Sequence, residues 1–269
     1  MDDRDFYFAN LSWPEIEQAR AAGPATVLLF PVGSTEPHGP HSPLSTDVLI
    51  SEGTSLRAAR ELAHDPDLRA LILPSFDYAV TRYAGAFPGA IHIGEEAFEA
   101  VVVSVCGSLI ADGFRHLALV NNHFEPQHVQ ALHRCVDRVE SEHDVLVGYV
   151  DLTRKERAAR LTEEFRRAEC HAGRYETSLV LADHPELVDE QVMRALPYVP
   201  VDMARGIAAG AKDFVELGMD QAYCGSPAEA TAAEGEESFA VLTAMLIEAL
   251  RELIAGVGGR DRPGLYGRV

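Results

Sequence analysis

The sequence predicts an α/β fold, a three-layer α/β/α sandwich built on a mostly parallel central sheet. Two observations carry that expectation. Short apolar runs of buried-strand length alternate with longer stretches whose apolar residues recur at helical spacing. Such alternation implies βαβ units, which force parallel strands and cover both sheet faces with helices. The 269 residues show no repeat, low-complexity tract or clear linker. One domain spanning residues 1–269 is therefore expected.

Ala25 to Pro31 (ATVLLFP) is the first strand, too apolar to have a solvated face. Thr46 to His64 follows as a helix, with Val48, Leu49, Leu56 and Leu62 at helical intervals. Ala70 to Pro74 (ALILP) is the second strand. Gly94 to Gly113 is a long helix, closed by a glycine as helix C-termini often are. His116 to Asn121 (HLALVN) is the third strand, Pro126 to Glu142 a helix, and Asp144 to Val150 the fourth strand. Beyond it the pattern loosens: a charged helix near Arg154 to Arg167, another after Gly173, and a long closing helix from Ala228 to Ala255, broken or initiated near Gly235. Arg260 to Val269, rich in Gly, Arg and Pro, is expected to be an extended tail.

Composition excludes several classes of function. Lys and Arg total 23 against 42 Asp and Glu, a formal charge of −19. Nucleic acid and anionic membrane surfaces both need a basic footprint, so neither is expected as a partner. Mean hydropathy is −0.05, and the longest nearly apolar stretch, Ala100 to Ala111, is too short to span a bilayer. No basic region followed by an apolar run opens the chain, so a cytoplasmic location is expected. Cys106, Cys135, Cys170 and Cys224 are scattered without C-x-x-C spacing, unlike a disulfide framework or thiolate zinc site.

The chemistry gathers at two strand ends. The first strand runs into PVGSTEPHGPHSPLSTD, with Glu36 and His38 two residues apart, and the third into NNHFEP, with His123 and Glu125 two apart. In extended backbone each pair points to one side. Strand carboxyl ends are where ligands bind in an open parallel sheet. Taken singly, each residue has an ordinary explanation: a hydrogen-bonded loop histidine, a first-turn acid at Glu125, a helix-start carboxylate at Asp47. Together they offer two imidazoles and three carboxylates, an N/O set suited to Zn²⁺ or Mn²⁺. Five ligands exceed what one open catalytic ion needs, and a pair of ions bridged by Asp47 fits the count better. No G-x-S-x-G elbow is present, and Cys170 beside His171 is the only tempting nucleophile pair; sequence neighbours rarely form a dyad.

These segments resemble the creatininase (creatinine amidohydrolase) family, whose branches include mycofactocin peptidase-like and formamide-hydrolysing members. PVGSTEPHGPHSPLSTD resembles its N-terminal signature, and VNNHFEP its Asn-Gly-His-Tyr-Glu motif with Asn122 and Phe124 substituted. FPGAIHIG, HAGRYETS and GSPAEAT followed by Glu234-Gly-Glu are similar to further family elements, in order between about residues 30 and 236. The resemblance implies a creatininase-like fold and two divalent ions, zinc and/or manganese with iron admitted. Glu36 and His123 would hold one ion, His38 and Glu125 the other, with Asp47 bridging. It also implies His171 as a polarising or proton-transferring group, Glu176 as a supporting acid, and a homo-oligomer, a hexamer in this family. His41 is read as loop packing.

Creatinine-hydrolysing members carry an acidic residue before His-Ala-Gly and tryptophans around the small ring. Here Cys170 stands in that position and the sole tryptophan is Trp13. The expected substrate is therefore a different small amide, cyclic amide or formamide, hydrolysed by metal-activated water. A peptidase acting on a small peptide and a non-catalytic metal- or ligand-binding member are the alternatives.

Overall fold

The structure, a computed structural model, describes residues 2–21 and 23–257. Four parallel strands lie in the order β2-β1-β3-β4: β1 Ala25–Val32, β2 Leu68–Ile72, β3 His116–Asn121 and β4 Val147–Tyr149. From β1 the chain moves to β2 on one side and then to β3 on the other. The β1/β3 boundary is thus a topological switch point, where a crevice opens beyond the strand ends. The two strands finish level, Val32 opposite Asn121, so the loops that follow them emerge side by side. Pairing of β1 with β2 stops at Leu29–Ile72, before Pro31, which has no N–H to donate.

Alternation along β1 builds two cores. Leu28 and Phe30 face α3 (Glu95–Ala111) and α4 (Pro126–His143), packing with Phe98, Val102, Leu132 and Val139. Val27 and Leu29 face α2 (Thr46–Glu61) and α10 (Ala232–Ile254), packing with Ala58, Leu62, Leu246 and Leu250. A strand buried on both faces needs the unbroken apolar run that the sequence supplies. This is the expected three-layer arrangement, preceded by α1 (Trp13–Ala21).

The differences lie at element ends. The fourth strand is shorter than expected because Asp144 takes a left-handed conformation as the C-cap of α4. The expected helix over 154–167 is two short ones, α5 (Lys155–Ala158) and α6 (Glu163–Arg166). Thr162 separates them, its side chain accepting the Phe165 N–H as an N-cap. The closing helix starts at Ala232 under a Thr231 cap, after a 3₁₀ turn over Pro227–Glu229. Between lie α7 (Arg174–Asp183), α8 (Glu190–Ala195) and α9 (Met203–Ala208). The expected tail over 260–269 lies outside the described residues. Among the described residues no helix is long and apolar enough to cross a membrane.

Candidate metal centre

Loop 33–45, beyond β1, delivers Glu36 and His38, and Asp47 follows in the first turn of α2. Loop 122–125, beyond β3, delivers His123 and Glu125, while the turn before α7 brings His171, and α7 itself Glu176. All seven side chains are buried, none more than 7% exposed. Asp47 is anchored by the Ser34 N–H, which donates to Oδ2 (3.3 Å).

Each of three histidines is fixed by a backbone carbonyl. His38 Nδ1 lies 3.0 Å from Glu36 O, His123 Nε2 2.9 Å from Val80 O and His171 Nε2 3.1 Å from Pro37 O. A carbonyl only accepts, so these nitrogens carry the protons and a neutral ring turns its lone pair inward. Those lone pairs meet carboxylates. His38 Nε2 is 3.1 Å from Asp47 Oδ1 and 3.5 Å from Glu176 Oε2. His123 Nδ1 is 3.0 Å from Asp47 Oδ2 and 3.2 Å from Glu36 Oε1, and His171 Nδ1 is 3.9 Å from Glu36 Oε1. His38 Nε2 and Glu36 Oε2 have no hydrogen-bond partner despite complete burial.

Acceptor facing acceptor, away from water, is repulsive unless a cation lies between. The cation is either a proton or a metal. In the metal-free chain it is a proton: burial alone would lower His38, but Asp47, Glu176 and Glu36 reverse this and lift it to about 10. His123 is likewise raised against its burial by Glu36 and Asp47. Burial pushes Glu176 up to about 8, even with His38 opposing. Three groups have ligand atoms within 4.8 Å of one another: Glu36-Asp47-His123, His38-Asp47-Glu176 and Glu36-His38-His171. The donor set is all imidazole and carboxylate, which fits divalent zinc or manganese.

Glu125 stands apart from those groups. Its Oε2 accepts the N–H of Arg82 (2.7 Å) and of Tyr83 (3.2 Å), while Oε1 is buried without a partner. Burial raises its carboxyl although His123 and both amides oppose the shift. The carboxylate oxygen that joins Asp47 beside His38 is thus from Glu176 rather than from Glu125. His171, by contrast, is pushed down to about 4 by burial and the nearby His38. His41 is held elsewhere, its Nε2 2.9 Å from Thr177 Oγ1. Burial lifts the Cys170 thiol well above its ordinary value, which leaves it un-ionised and a poor nucleophile.

Sequence reasoning missed a brace behind His123. His128 is fully buried, its ring centroid 4.8 Å from that of His123 with the planes inclined at 60°, and it donates from Nε2 to Asn121 Oδ1 (3.0 Å). Asn121 in turn accepts the His123 N–H and donates to the His123 carbonyl. A histidine in the first turn after a Pro-initiated helix was the available signal.

A doubly wound α/β protein with a buried imidazole–carboxylate cluster at its switch point has the plan of a small-molecule enzyme. The chain belongs to the creatininase family: the family description, creatinine amidohydrolase, matches residues 9–250, which makes it a hydrolase of that family. It is 32% identical over 217 residues to the mycofactocin precursor peptide peptidase of Mycolicibacterium smegmatis, covering 80% of each chain. It is 28% identical to the creatinine amidohydrolase of Pseudomonas putida, over 77% of this chain and 86% of that one. A solved manganese creatininase matches the fold with a TM-score of 0.72 at 24% identity, covering 92% of this chain and 98% of that one.

Proposed function

We propose that this chain is a dinuclear metal-dependent hydrolase of a C–N bond, in an amide, cyclic amide or formamide of a small molecule. The observation that carries the reading is Asp47, whose two oxygens face two different histidines, Oδ1 to His38 and Oδ2 to His123. One carboxylate shared by two three-residue groups is the arrangement of a bridged pair of ions. Glu36, Asp47 and His123 would hold one ion, and His38, Asp47 and Glu176 the other, in place of the His38–Glu125 pairing that the family resemblance implies. Zinc or manganese fits; two such ions balance the four buried carboxylates of Glu36, Asp47, Glu125 and Glu176. When bound, such ions acidify water toward neutral pH and polarise a carbonyl.

The chain's own groups then divide the proton work. Glu125 presents Oε1, desolvated and unpartnered, while two backbone amides fix Oε2. It takes the proton from the attacking water. His171 is neutral, with its Nε2–H tied to the Pro37 carbonyl; its Nδ1 lone pair takes up the proton that Glu125 removed from water and passes it to the nitrogen as the C–N bond breaks. The identity to a precursor peptide peptidase favours a short peptide as the second substrate class. The burial of all seven residues of the centre favours a small molecule over an extended chain. The family match spanning residues 9–250 supports reading the chain as one domain. A cytoplasmic homo-oligomer, hexameric as the family resemblance implies, completes the proposal, and the acidic surface leaves no role for nucleic acid.

The test is metal analysis of the purified protein, followed by a panel of small amides, lactams, formamides and short peptides. Two metal equivalents and chelator-sensitive hydrolysis are expected. Less than one equivalent, together with an Asp47→Ala variant of undiminished activity, would overturn the assignment.

A further inference from the structure

The side chains of the centre are buried, and one short segment covers its His171 side. The ring of Phe214 packs on His171 with centroids 4.3 Å apart. Phe214 is the only buried residue between Gly210 and Gly218; its neighbours Lys212, Val215 and Glu216 are exposed. This segment is therefore one layer thick, with His171 beneath and solvent above.

Its apolar anchorage is Phe214, which packs with Tyr83, Ala84 and Met219, with Leu217 alongside, and its hydrogen bonds are few and mostly local. Lys212 N–H donates to Glu216 Oε2, Glu216 N–H to Asp213 Oδ1, and Gly218 N–H to the Val215 carbonyl, all within the segment. Among the described residues, two hydrogen bonds reach from it to the sheet side, and both end on Tyr83. The Phe214 N–H donates to the Tyr83 carbonyl (2.9 Å), and the Tyr83 hydroxyl donates to the Ala211 carbonyl (3.1 Å). At each end stands a glycine at positive φ, Gly210 at 99° and Gly218 at 85°, with open space where a Cβ would be. Packing does not require those glycines; backbone conformation does. Tyr83 also gives its own N–H to Glu125 Oε2, so the residue that holds the segment also holds a carboxylate of the centre.

We propose that residues 211–217 form a strap over the centre, hinged at Gly210 and Gly218 and latched on Tyr83. The strap swings out to admit substrate and carries Phe214 as the apolar wall against which substrate lies beside His171. This rests on reading the cluster as the active centre. A substrate with a flat or apolar face next to its scissile bond suits that wall, since Phe214 presents no polar atom.

The experiment measures release of Zn²⁺ from the loaded full-length protein into excess 4-(2-pyridylazo)resorcinol. Phe214→Ala is expected to release zinc at least about tenfold faster than the unmodified chain. Tyr83→Phe, which removes one hydrogen bond and nothing else, is expected to do so about fivefold faster. Equilibrium zinc affinity should stay within about twofold for both, because neither side chain is a ligand. Release rates within twofold of the unmodified protein, or rates that change only in step with affinity, would overturn the strap. Hydrogen exchange on metal-free protein gives a second reading. The Phe214 and Met219 amides should exchange at least about a hundredfold faster than those of β1, and faster still in Tyr83→Phe. Exchange together with β1 overturns the proposal. A chain that binds no zinc would sink the dinuclear reading and leave the strap to be decided by exchange alone.

Discussion

Metal binding should stabilise the fold in two countable increments, and Asp47 should control both. Its oxygens lie 3.1 Å from His38 Nε2 and 3.0 Å from His123 Nδ1, one in each three-residue group. A ligand at a hundred times its dissociation constant stabilises by about 2.7 kcal/mol per site. For a domain of this size each kcal/mol moves Tm by about 2–4 °C. One filled site is then worth about 5–11 °C, and two about twice that. Glu36 belongs to the Glu36-Asp47-His123 group but not to His38-Asp47-Glu176, so Glu36→Gln should roughly halve the shift. Asp47→Asn should nearly abolish it. The assay is thermal unfolding of chelator-stripped protein with and without added Zn²⁺. A parallel Mn²⁺ series controls for zinc captured by unfolded cysteines. A full shift in Asp47→Asn, or equal shifts in both variants, would refute the shared-carboxylate argument.

Three further outcomes follow from the same geometry. In metal-free protein His38 is raised to about 10 from 6.5 and Glu176 to about 8 from 4.5. Both favour the folded state at low pH, His38 losing its contribution as pH rises through 10 and Glu176 through 8. The urea midpoint of stripped protein should therefore fall between pH 6.5 and 10, and a flat or rising profile would count against a proton-held centre. Glu125→Gln keeps an oxygen for the Arg82 and Tyr83 amides, so metal content should be unchanged while turnover of a hydrolysed amide drops at least about a hundredfold. Loss of metal instead would make Glu125 a ligand. Gly235 lies where a Cβ would overlap the Ser178 carbonyl oxygen of α7. Gly235→Ala should then lower stability by about 1–3 kcal/mol, although alanine in an open helix would gain about 1 kcal/mol; calorimetry gives the sign.

Much of the fold was legible because its strands are buried on both faces. Runs such as ATVLLFP and HLALVN have no solvated side, and each was bounded by turn residues. The ends were less legible: Asp144 terminates α4 in a left-handed cap, and Thr162 divides a charged stretch that composition alone reads as continuous. At the centre, local spacing placed Glu36 beside His38 and His123 beside Glu125. Which carboxylate meets His38 is a question between elements. Glu176 reaches it from α7, while Glu125 is drawn to the amides of Arg82 and Tyr83. Phe214 carried no signal, because nothing local distinguishes an aromatic over a histidine from one in a core.

What the sequence determined by itself was the alternation of elements, the two strand ends that carry chemistry, and the imidazole and carboxylate types gathered there. Those depend on periodicities of two and 3.6 residues and on the donor atoms of each side chain. Only the tertiary structure decided which groups share an oxygen, which histidine nitrogen turns inward and what covers the centre. These are contacts between residues far apart in the chain, as between His38 and Glu176 or between Pro37 and His171. They are set by where the switch point of the sheet brings β1, β3 and α7 together.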